Sequence, residues 1–125
     1  MAPWHIEYTK QFADWHNRSD DDAQEDLDVV LRLLEAYGPA LTRPYADTVN
    51  NSRHPNMREL RVQSKGRPLR VFYAFDHRRI AILLIGGDKT GISNERFYRA
   101  HVRVADRLYD EHMESTKRKK PKNGS

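Results

Sequence analysis

The chain contains no cysteine, so disulfide frameworks, thiolate nucleophiles and thiolate zinc sites are excluded. No stretch approaches the roughly 18 apolar residues of a membrane span, and the opening residues, MAPWHIEYTK, lack the apolar centre of a signal peptide. The expectation is a cytoplasmic protein with no membrane contact. The six histidines, at positions 5, 16, 54, 77, 101 and 112, include no HExxH and no helical i, i+4 pair, which disfavours a metal site. Internal repeats are absent, and 125 residues suffice for one hydrophobic core and not for two.

What the chain has in quantity is charge, unevenly laid out. Apolar residues make up 38% and charged residues 32%, ordinary for a globular protein, with a net charge of +4. Residues 1 to 40 nevertheless carry three Lys and Arg against nine Asp and Glu, whereas residues 57 to 103 carry eleven against four. A fold that gathers the second block presents a basic face suited to a polyanion such as nucleic acid. The plainer alternative is that these side chains only keep a small protein in solution.

The pattern of elements is mixed. WHIEYT, residues 4 to 9, alternates bulky and polar side chains and predicts a short strand. Ser19 and the acids Asp20, Asp21 and Asp22 announce a helix that Gly38-Pro39 stops, with Ala23, Leu27, Val30, Leu31, Leu34 and Tyr37 as its apolar stripe. Residues 40 to 56 read as a long connection. Strands are predicted over 58 to 64, 69 to 76 and 80 to 86, the last (IAILLIG) apolar on both sides and therefore central. After GGDKTG, Ser93 caps a final helix over about 94 to 114, with Phe97, His101, Val104, Ala105 and Leu108 inward. The sum is one α+β domain over residues 1 to 115: a mostly antiparallel four-stranded sheet packed by N-terminal helices and a C-terminal helix. The basic tail, 116 to 125, is expected to be disordered.

The hairpin MRELRVQSKGRPLRVFYAF, residues 57 to 75, poses an electrostatic problem. With the turn centred on Lys65-Gly66, Leu60 pairs with Val71 and Val62 with Leu69, which sets Arg61 directly across from Arg70. Like charges so placed cost from a few tenths to about 1 kcal/mol. A compensating anion is required, either an internal carboxylate such as Glu59 or a phosphate, which guanidinium binds bidentately. Arg58 and Arg67 flank the pair and Lys89 follows the apolar strand, so one Glu59 cannot balance the group. Together with Lys65 and Arg96 these side chains are candidate RNA contacts. Tyr98 offers a stacking ring or a phenol for proton transfer.

From about Leu31 to His112 the chain, in the motifs LLEAYGPALTRP, MRELRV, GRPLRVFYAFD, IAILLIGGDKTG and FYRAHVRVADRLYDEH, resembles the RelE superfamily of bacterial toxins, in its phage-derived HigB-like branch. The resemblance implies a RelE-like fold and a metal-independent, cofactor-free endoribonuclease that cuts messenger RNA on the ribosome, neutralised by a cognate helix-turn-helix antitoxin. It also implies that Arg70 contacts the scissile phosphate, that Arg61 and Lys89 are its basic companions, and that Tyr98 matches a tyrosine some members carry. The usual paired lysines are missing from MRELRV, and His54 stands as the candidate general base. The competing readings are a binding module that grips RNA or DNA without chemistry, and a decayed toxin whose business is its antitoxin.

Overall fold

The computed structural model describes residues 3–119. Strand β1 (Ile6–Tyr8) leads into helix α1 (Lys10–Arg18), which the sequence reading did not separate from its surroundings. Thr9 caps α1, its hydroxyl accepting from the Phe12 N–H at 3.0 Å. Helix α2 (Asp21–Tyr37) begins one residue later than expected, because Asp20 is its cap and accepts from the Ala23 N–H at 2.9 Å. Ser19 instead closes α1, its N–H bonded to the His16 carbonyl. The α2 stripe is buried at Ala23, Leu27, Val30 and Leu34, while Tyr37 at its end is exposed.

The sheet has five strands, not four. Residues 40 to 56 are not only a connection: β2 (Ala46–Thr48) pairs antiparallel with the start of β3 (Arg58–Ser64), too short to show an alternating pattern. With β4 (Arg67–Phe75) and β5 (Ala81–Asp88) the order is β1-β5-β4-β3-β2, and β1 joins β5 in parallel. The apolar strand β5 is buried on both faces as expected, yet β4 holds the centre. The hairpin register is the predicted one, Leu60 opposite Val71, Arg61 opposite Arg70 and Val62 opposite Leu69. Lys65 and Gly66 both adopt positive φ, at 51° and 78°, so the two-residue turn twists with its strands.

Two cores result, one on each face. Leu60, Val62, Leu69, Val71 and Tyr73 pack with α1 and α2, while Phe72, Ala74, Ile82 and Leu84 meet the long helix α3 (Asn94–Lys119). Helix α3 buries Phe97, Val102, Ala105, Leu108 and Tyr109, and it outruns its predicted end, so residues 116 to 119 are helical where a tail was expected. The rest of that tail, 120 to 125, lies outside the described residues. Among those described, no helix is long and apolar enough to cross a membrane.

Helix α1 sits on β5 because Gly86 leaves room for the Trp15 ring: a Cβ there would come within 2.3 Å of it. The contact is with the ring of a partly buried indole packed against the core, not with a flexible chain end. Gly86→Ala is therefore expected to destabilise the protein by about 1–3 kcal/mol, read as a lower urea midpoint at unchanged m-value.

Candidate active site

Alternation along β3 puts Glu59 and Arg61 on the α3 face, with Arg70 opposite Arg61 on β4. Helix α3 lays Tyr98 over them, and the loop after β5 brings Lys89, fixed by its N–H to the Pro68 carbonyl at 2.9 Å. The anion demanded by the arginine pair is in the first instance Glu59. Its Oε2 accepts from Arg61 Nη1 at 3.0 Å, and its Oε1 lies 3.7 Å from Arg70 Nε. The Tyr98 hydroxyl donates to the same Oε1 at 2.6 Å and accepts from Arg70 Nε at 3.2 Å. Arg70 Nη1 also donates to the Leu69 carbonyl at 3.0 Å.

One carboxylate thus faces Arg61, Arg70 and Lys89, and the group stays cationic. The Lys89 amine lies 5.3 Å from the Tyr98 ring centroid, a cation–π contact. Burial holds this amine below the ordinary lysine range, and the positive fields of Arg70 and Arg61 lower it further. Burial also pushes the Tyr98 phenol up, and its bond to Glu59 adds to the shift.

Glu59, Arg61, Lys89 and Tyr98 line one end of a cleft of about 960 Å³ between the sheet, the β2–β3 loop and α3. Its lining holds six cationic side chains against four carboxylates. Arg70 is not among the lining residues, and its side chain is only 6% exposed against 24% for Arg61. The arrangement offers a base, a phenol and two accessible cations around one point, the set required to move a proton beside an anion.

The other expected site residues are not brought to this point. Arg58 faces the opposite side of the sheet and donates to the Pro39 carbonyl at 3.0 Å. Lys65 pairs with Asp22 at 2.8 Å and Arg67 with Asp20 at 2.9 Å, so the turn is tied to the acidic start of α2. Arg96 is exposed two residues before Tyr98, about 200° around the helix from it and off the cleft. His54 binds Asp110 at 2.8 Å, and Asp110 lies twelve residues beyond Tyr98, about 18 Å along α3. His54 is therefore an anchor for its loop, far from the arginines. Arg53, Arg99 and Arg103, which also line the cleft, carried no signal beyond their charge; the helical spacing of Arg99 and Arg103 from Tyr98 was the available clue.

A family model described as "Phage derived protein Gp49-like (DUF891)" matches residues 14–110. The chain belongs to the phage-derived Gp49-like family. It is HigB-like, as the strand motifs suggested. Two Mycobacterium tuberculosis proteins are similar to this Gp49-like chain. "Putative toxin HigB2" is 40% identical over 109 residues, 86% of this chain and 54% of that protein. "Putative toxin HigB3" is 42% identical over 92 residues, 74% of this chain and 78% of that protein. The chain thus spans about half the length of the first relative. The Escherichia coli toxin RelE, in the free state with two arginines replaced by alanine, shares the fold: TM-score 0.58 at 13% identity, covering 83% of this chain and 99% of that one.

Lys89 is held charged in a place that disfavours the charge. Lys89→Met is expected to raise the urea midpoint at neutral pH. The sign follows from the lowered amine pKa: the penalty is full at and below neutral pH, fades as pH rises, and vanishes above the unfolded value of 10.5. The gain should shrink in step when the two proteins are compared across that range.

Proposed function

We propose that this Gp49-like protein is the toxin of a toxin–antitoxin pair and an endoribonuclease that cuts messenger RNA during translation. The observation that carries this reading is Glu59, bracketed by Arg61, Arg70 and Tyr98 at the wall of a cationic cleft. Glu59 takes the place that His54 held as general base, for His54 is bound elsewhere. The carboxylate removes the proton of a ribose 2′-hydroxyl, whose oxygen attacks the adjoining phosphorus. The bond from phosphorus to the 5′-oxygen breaks, and that oxygen takes the Tyr98 phenol proton. The products are a 2′,3′-cyclic phosphate and a 5′-hydroxyl. Protonated Glu59 and the phenolate remain, and their 2.6 Å contact lets one proton transfer restore both.

Arg61 and Lys89 are open to the cleft and stabilise the charged phosphorane. Arg70 differs from the role its resemblance implies. Buried behind the carboxylate, it pairs with Glu59 and holds Tyr98 in place. The partners in this reading are a translated message and a cognate helix-turn-helix antitoxin.

The test is cleavage of a message translated in a cell-free extract, against the same message without ribosomes. Glu59→Gln is expected to slow cleavage by about 10²–10⁴-fold, and Arg61→Ala by about 10²–10³-fold. Parental rates from Glu59→Gln, or strand breaks bearing a 3′-hydroxyl, would overturn the reading. Slowed translation with every transcript intact would favour a binding module.

A further inference from the structure

The cleft is longer than one scissile linkage requires. Its α3 wall runs from Asn94 to Asp106, and the part beyond Tyr98 covers eight residue steps, about 12 Å. Along it stand Arg99 and Arg103, exposed and one helical turn apart. Arg99 has an exposed partner in Glu95 at 2.6 Å, whereas Arg103 has no ion pair among the described residues.

The facing wall is the β2–β3 loop, and it is unusually well anchored. The Val49 N–H bonds to the Met57 carbonyl at 3.0 Å. Ser52 Oγ donates to Asp106 at 2.5 Å and accepts from the His54 N–H at 2.9 Å. The Arg53 N–H reaches Asp106 at 3.3 Å, its guanidinium pairs with Asp110, and the His54 ring joins Asp110 as well. Asp106 is buried, so these bonds tie the loop to the helix core. Arg53 is shared between Asp106 and Asp110, and with Arg99 on Glu95 this leaves Arg103 as the arginine of the α3 wall without an ion pair among the described residues. Between the anchors lie Asn50 and Asn51, exposed at the cleft, their amides without a partner among the described residues. An amide on a rigid support offers both a donor and an acceptor, the pairing that reads a base edge.

We infer that this far half of the cleft binds the single-stranded RNA that flanks the linkage to be cut, with Arg99 and Arg103 on its backbone phosphates and Asn50 and Asn51 on its base edges. The inference rests on the reading that the cleft takes RNA. It also gives the Ser52, His54, Asp106 and Asp110 network a purpose: holding the two amides at a fixed distance from the arginines.

The test is fluorescence anisotropy with 2′-O-methyl RNA oligomers of varied sequence, titrated over a range of salt with the full chain. These oligomers lack the attacking hydroxyl, so the result does not depend on cleavage. Arg103→Ala is expected to weaken binding about equally for every sequence and to lower the slope of log K against log salt by about 0.7, one phosphate's share. A variant carrying Asn50→Ala and Asn51→Ala is expected to keep the parental slope and to erase sequence preference, about tenfold in the parent. If Arg103→Ala keeps the parental slope and the double variant keeps the parental ranking, the inference is wrong; a parent that binds no oligomer overturns it too. A parent that shows the expected pattern but cuts no message would leave the binding site standing and remove the nuclease.

Discussion

The structure turns on a single carboxylate placed between two arginines. The hairpin fixes Arg61 opposite Arg70 because every register that buries Leu60, Val62, Leu69 and Val71 puts both on the other face. Glu59, two residues before Arg61 and so on the same face, makes that pairing tolerable. Removing it would leave like charges facing each other in a largely dry environment, where the desolvation cost of an unmatched charge is high. The sheet is thus committed to a cationic spot by its packing, and Tyr98 and Lys89 are assembled on that spot.

Among the described residues, two sets of cations do different work. Lys65, Arg67 and Arg78 are bound to carboxylates that tie separate elements together: Lys65 and Arg67 join the hairpin turn to α2, and Arg78 joins the β4–β5 turn to Glu7 of β1. Lys89 and Arg103 line the cleft without a carboxylate partner among the described residues. Counting basic residues along the chain cannot separate these groups, since the distinction lies in which helix packs against which face. For that reason Arg58 and Arg67 looked like members of the arginine cluster, and the structure places them with structural partners.

Much of the fold was legible because it follows from local patterns. Period-two alternation and a Lys-Gly turn gave the β3–β4 register to the residue, and the unbroken apolar run gave β5 its burial on both faces. What escaped were elements set by distant contacts. Strand β2 is three residues long and exists because β3 lies beside it; α1 depends on Trp15 settling over Gly86, some seventy residues further along the chain and beyond any local cue. At the site, the arginine pair was readable as an unsolved electrostatic demand, and Glu59 was visible as one possible answer. That His54 is bound to Asp110, and that Arg70 lies behind Tyr98, are facts about how α3 crosses the sheet, and no spacing in the sequence encodes them.

Acids along α2 that have no ion pair among the described residues, such as Asp21, Glu25, Asp26 and Asp28, and the basic cleft lie on opposite faces of the sheet. Such a molecule is an electrical arrow. In the field of a highly charged strand it experiences a torque before any contact is made, turning the cleft forward and the helix face away. At physiological ionic strength this orienting influence acts within a Debye length of about 8 Å, and it reaches further as salt is lowered. The topology that separates the two faces therefore sets the side from which any such strand would be met.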